Sequence, residues 1–139
     1  MTADAWYLLA CRSRALVHQA SRLMGALTNP AQGGDPREPA AFAAQAASGV
    51  QALLEALATA PELAAHQRTI RRFDIALAAW RRSVAEESPV ARRYQAALLQ
   101  QAAQVLTACL YVEALCTSES ARVLVTRADL TGRASPPPP

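Results

Sequence analysis

The sequence predicts an all-α fold, an antiparallel four-helix bundle of up-down-up-down topology, and three observations predict it. Apolar residues recur near 100° per residue along most of the chain. No stretch alternates with period two for long enough to make a strand. The junctions between periodic stretches carry proline, as in "TNPAQGGDP", "TAPE" and "SP". A chain of 139 residues is long enough for one domain that buries about two thirds of its unfolded surface. The bundle is expected over residues 1–130, with 131–139 as a Pro-rich C-terminal tail.

The first helix is expected from about Ala3 to Leu27, with Trp6, Leu9, Leu16, Ala20, Leu23 and Leu27 on one stripe. It stops at the glycine- and proline-bearing loop that follows. The second occupies roughly Glu38 to Ala58, and its inward row of Ala43, Ala46, Val50, Leu53 and Leu57 is narrow at one end, so a neighbour can come close near Ala43. Thr59 and Glu62 have the spacing of a capping box, with Pro61 in the first turn of a third helix that begins almost without a loop.

That third helix runs to about Glu87. Ser88 and Pro89 then supply an N-cap and a first-turn proline for a fourth. Two tight reversals make these neighbours antiparallel. The fourth helix has the strongest periodic row: Tyr94, Leu98, Ala102, Val105, Cys109 and Val112, continued by Cys116. Its apolar pattern reaches about Leu130, so it is either one long last helix or breaks near "TSES" into a short fifth helix. Gly132 is expected to end it, before a stiff polyproline tail.

Composition narrows the function classes. Alanine makes up about a quarter of the chain, which favours closely approaching helices, and every basic residue is arginine. Arginine suits bidentate recognition of carboxylate or phosphate, but a GC-rich bacterial coding bias explains the excess of both residues more simply. A net charge of +3 is small for a nucleic-acid-binding protein. Three cysteines without CxxC spacing argue against a disulfide framework and a zinc site, and the chain is expected to carry no metal and no cofactor. Neither histidine has a glutamate three residues before it, as a ferritin-like di-metal site requires.

"YLLAC" resembles a lipoprotein cleavage box, but no positive charge precedes it and the apolar run is short for an h-region. A cytoplasmic location is therefore expected. The alanine-rich segment 39–60 is interrupted by Gln45, Ser48, Gln51 and Glu55, so it is expected to be a buried helix and not a membrane span.

Three surfaces could carry function. His66 shares a row with Ile70, Phe73, Leu77 and Trp80. It could act as acid, base or ligand anchor at a pocket for a small apolar ligand walled by Phe73 and Trp80 with Tyr94, a carboxylate coming from Glu113 across the bundle. On the first helix Tyr7, Cys11, Arg14, His18 and Arg22 share one face, where Arg14 and His18 could grip an anion. On the fourth, Leu99, Leu106, Leu110 and Leu124 flank the main row and widen the apolar arc beyond what one seam needs.

The leading expectation is a helical protein–protein interaction module, a homodimer through the fourth helix or a docking site for another helical protein. The alternative is a small helical enzyme or carrier with His66 as acid/base. A third is an arginine-dependent nucleic-acid regulator using Arg68, Arg71, Arg72 and Arg82 with Arg92 and Arg93. Nucleic acid is the less expected partner, because Asp74, Glu86 and Glu87 lie beside that cluster and ion pairs along the helix would absorb its charge.

Overall fold

A computed structural model describes residues 2–28 and 38–134, with side chains throughout except at 120 and 123–134. The described residues form an all-α four-helix bundle: α1 (Ala3–Thr28), α2 (Glu38–Leu57), α3 (Ala64–Ala85) and α4 (Ala91–Ala134), with a 3-10 turn at Pro61–Leu63 before α3. Among them there is no strand. The loop between α1 and α2 and the polyproline tail lie outside the described residues.

Each helix buries the stripe its sequence marks. The six apolar residues of the α1 row are all buried, as are the five of the α2 row. On α3 the buried ridge is Ile70, Phe73, Leu77 and Trp80, preceded by the buried Leu63 of the 3-10 turn, and on α4 it runs from Leu98 to Cys116. The ends of two rows come out. Val84 and Tyr94 are both exposed, because they sit where α3 and α4 meet at the tight turn and no third helix covers them.

Both α1 and α3 pack against α2 and α4. Cross-helix contacts fix the direction of each pair. Arg12 on α1 donates to the Ala52 carbonyl on α2 (2.7 Å), while Gln19 further along α1 lies over Gly49, earlier on α2. Arg14 meets Glu113, whereas Gln95 donates to the Leu27 carbonyl (3.3 Å). Gln67 donates to the Leu57 carbonyl (2.7 Å), and Gln51 to Asp74 (3.2 Å). In each pair the contacts advance along one helix as they retreat along the other. Two of these glutamines also satisfy carbonyls in the last turns of α1 and α2, groups that have no partner within their own helix.

Gly49 leaves room for the Gln19 side chain of α1, since a Cβ there would run into its amide.

The turns depart from expectation in one respect. Thr59 does not cap α3: its hydroxyl donates back to the Ala56 carbonyl (2.8 Å), the residue at the N-cap of the 3-10 turn is Ala60, and no side chain caps either that turn or α3. The inserted 3-10 turn leaves the threonine one residue short of capping position, while Pro61 does occupy the first turn. At the other reversal Ser88 N–H bonds the Ser83 carbonyl (2.8 Å) and Glu87 N–H the Val84 carbonyl (3.1 Å), the two bonds of a Schellman motif. Glu87 takes the left-handed position, φ 50°, that glycine usually fills. The Ser88 hydroxyl then accepts from Val90 N–H (3.3 Å), as a cap should.

The long last helix is continuous. α4 spans 44 residues without a break at "TSES", because the Thr117 hydroxyl donates to the Glu113 carbonyl (2.9 Å) within the helix instead of capping a new one. It also passes the expected stop at Gly132 and ends at Ala134. An interior glycine weakens a helix by about 1 kcal/mol without forbidding it.

Two side chains are poorly matched to their sites. Ser13 is fully buried in the α1 row and its hydroxyl has no hydrogen-bond partner. Ser13→Ala should therefore stabilise the fold by about 1–2 kcal/mol, read as a higher urea midpoint at unchanged slope. Glu87→Gly relieves the left-handed backbone and should raise the melting temperature by a few degrees, a gain of about 0.5–1 kcal/mol after glycine's larger unfolded-state entropy is counted.

Candidate functional site

On the flank of the α3–α4 seam, small residues leave a trough. Thr69 on α3 and Ala103, Thr107 and Ala108 on α4 cannot fill the space between the helices. The result is a groove of about 610 Å³ that also includes His66, Gln104 and Tyr111. His66 is half-buried and leans on the Tyr111 ring, with centroids 4.9 Å apart and planes inclined by 31°. Tyr111 remains 57% exposed, so the two rings form one wall of an open groove.

The pocket expected around His66 is not formed by the residues proposed for it. Phe73 and Trp80 are buried in the core and neither lines the groove. They follow His66 in the same row, but one and two heptads further along, where both side chains are part of the buried core. Tyr94 lies at the other end of the α3–α4 pair, beside a recess of about 100 Å³ with Arg82, Ser83, Glu86 and Ser88.

Glu113 does not face His66 either. It lies on the α1 side of α4 and accepts from the Nε (2.8 Å) and Nη2 (2.6 Å) of Arg14. Glu119 pairs weakly with Arg122 (3.7 Å), and Glu62 is exposed. Among the described residues no carboxylate and no carbonyl is bonded to His66. The arrangement offers a flat aromatic wall with nearby threonine and glutamine polar groups.

Across the bundle, α1 and α4 enclose a second cavity of about 360 Å³, with Tyr7, Cys11 and Arg14 facing Cys116, Thr117 and Ala121. The sequence groups the first three on one face of α1. The α4 half of the cavity was not anticipated, since Cys116 reads as an ordinary member of the buried row. His18 stays exposed outside the cavity, and Arg14 is held by Glu113, so the expected Arg14–His18 anion site is not assembled. Bonding to Glu113, followed by its charge, shifts the Arg14 guanidinium above its ordinary range. The Tyr7 phenol is likewise shifted up, first by its hydrogen bond to Cys11 and then by charge on that thiol.

The expected interface leucines divide. Leu99 and Leu106 are half-buried and pack against the core, because α1 covers that flank of α4. Leu110 is 55% exposed. Leu124 lies outside the described residues.

No group of three or more metal-ligating side chains exists among the described residues, and no described helix is long and apolar enough to cross a membrane. No family model, curated protein or solved structure matches the chain.

The three cysteines are free thiols of two kinds. Burial pushes Cys109 up to about 12, with the Glu113 charge adding to it, and burial alone pushes Cys116 up to about 11. Cys11 is exposed. A disulfide reagent at neutral pH should therefore titrate one thiol in the native protein and three after denaturation. Both buried thiols have folded-state values above the ordinary thiol value of 9.0. Their contribution to stability is complete below pH 9 and is lost as pH rises through 11 and 12. Denaturation midpoints measured from pH 7 to 12 should show a plateau and then a fall above pH 9.

Proposed function

We propose that the chain is a helical protein–protein interaction module that pairs with a second copy of itself through α4. The observation that supports this reading is the length of that helix. At 1.5 Å per residue its 44 residues extend about 66 Å, against about 39 Å for the 26 residues of α1. Ala121 is the furthest α4 residue lining the cavity shared with α1, and α1 begins only one turn before Tyr7. Roughly 20 Å of α4 backbone follows Ala121. Helices of twelve to fifteen residues are marginal in water unless something packs against them.

Two-fold pairs are the commonest assemblies, and a symmetric pair lets each projecting helix cover the other. Leu110, exposed on the same helix, extends that surface back along the bundle.

Light scattering across micromolar concentrations should give twice the 14.8 kDa chain mass. Removal of residues 122–139 should give a monomer that keeps its helical bundle. Leu110→Glu should weaken pairing about tenfold or more, because it places a charge in an apolar contact. A full-length chain that stays monomeric throughout that range rejects the proposal.

A further inference from the structure

Seven arginines stand on α3 and at the start of α4: Arg68, Arg71, Arg72, Arg81, Arg82, Arg92 and Arg93. All are exposed, and none takes part in an ion pair or side-chain hydrogen bond among the described residues. The acidic groups expected to absorb their charge do not do so. Asp74 is turned towards α2, where it accepts from Gln51 (3.2 Å), and Glu86 and Glu87, although they stand in the turn between Arg82 and Arg92, form no ion pair among the described residues. Elsewhere the protein does use its arginines: Arg12 is tied to the Ala52 carbonyl and Arg14 to Glu113.

Four of the free arginines form a single array. At 3.6 residues per turn, Arg68, Arg71, Arg72 and Arg82 fall within about 100° of arc, on the side of α3 opposite Ile70, Phe73, Leu77 and Trp80. The array is about 21 Å long from Arg68 to Arg82. Its backbone is rigid, because the opposite face of α3 is fixed in the core. Arg92 and Arg93 continue the positive charge across the turn onto α4.

We propose that this outward face of α3, extended by Arg92 and Arg93, binds the sugar–phosphate backbone of a nucleic-acid duplex. Charge complementarity identifies the occupant. A duplex carries about one negative charge per 1.7 Å of axis, so Arg68, Arg71 and Arg72 at one end of this face and Arg82 about 15 Å further on all meet one continuous line of phosphates. Guanidinium is the side chain best matched to phosphate in geometry. An anionic membrane fits less well: a helix lying in the lipid interface must bury an apolar face, and the apolar face of α3 is already in the core. Ile75, 70% exposed amid the arginines, is a single residue and no substitute for such a face. No base-reading element accompanies the array, so the contact is with the backbone and independent of sequence.

The test uses a fluorescein-labelled 20-base-pair DNA duplex and an RNA duplex of the same sequence, with anisotropy read from 50 to 300 mM NaCl. Light scattering runs in parallel, so that loss of pairing through α4 is told apart from loss of nucleic-acid binding. The intact protein should bind at least one duplex at 50 mM salt, with a slope of log affinity against log salt of about −4, the value for four to five phosphate contacts. The triple variant Arg68→Ala, Arg72→Ala, Arg82→Ala should lose tenfold or more in affinity and flatten the slope by about three, with its helical circular dichroism intact. Arg22→Ala, at an exposed arginine of α1, should leave affinity unchanged. The proposal fails if neither duplex binds at 50 mM salt, or if the triple variant binds as the parent does. It also fails if only vesicles containing 30% phosphatidylserine are bound.

Discussion

The ridge from Leu98 to Cys116 on α4 is closed off from solvent by α1 on one side and α3 on the other. Burying a valine or leucine of this ridge stabilises the fold by about 1.5–3 kcal/mol, so the seam determines where α1 and α3 must lie. Its residues are short, with Ala102, Cys109 and Cys116 among them, and helices on both sides come close. Each flank of α4 then becomes a shallow channel instead of a solvated surface. Both candidate cavities are products of this one constraint: the His66–Tyr111 groove follows the α3 flank and the Tyr7–Cys11 cavity the α1 flank.

Polar side chains fasten the ends of the helices that the seam aligns. Gln95 reaches the Leu27 carbonyl and Gln67 the Leu57 carbonyl, adding cross-helix bonds to C-terminal turns that local groups also satisfy: the Thr28 hydroxyl donates to the Met24 carbonyl, and Ala60 N–H to the Leu57 carbonyl. The third connection, between α3 and α4, has no such help. It closes through a Schellman motif built on Glu87, with the Ser88 hydroxyl beginning the next turn. The Arg14–Glu113 pair bridges α1 and α4, but its arginine side chain is 68% exposed, so water and salt screen the pair and it adds little. Packing therefore carries the stability, and hydrogen bonds set how the helices end.

Charge is sorted by position in the bundle. Arginines that face a neighbouring helix, Arg12 and Arg14, are engaged in structure. Those on the outer side of α3 are engaged in nothing among the described residues. Of the fourteen arginines, α3 carries five, and four of them stand on the surface directed away from the α4 seam. Arg92 and Arg93 stand at the opposite end of α4 from the extension proposed to pair, and the array on α3 runs from there back to Arg68, two residues from the His66 that meets Tyr111.

The helices and their buried rows were legible in the sequence because a period of 3.6 is a local property: Trp6 to Leu27, Ala43 to Leu57 and Leu98 to Cys116 are buried as their spacing indicates. The buried state of Cys109 and Cys116 was legible for the same reason. What each residue meets was not. His66 belongs by spacing to the row of Phe73 and Trp80, yet at the start of α3 its nearest ring is Tyr111, which no periodicity singles out. Glu113 adjoins the inner row, and only the position of Arg14 some hundred residues earlier turns it towards α1. Asp74 looks like a neutraliser of nearby arginines until Gln51 of α2 is seen to hold it. Local spacing determines which face of a helix is apolar; the identity of the facing group depends on how separate helices dock, and that was decided by the tertiary structure alone.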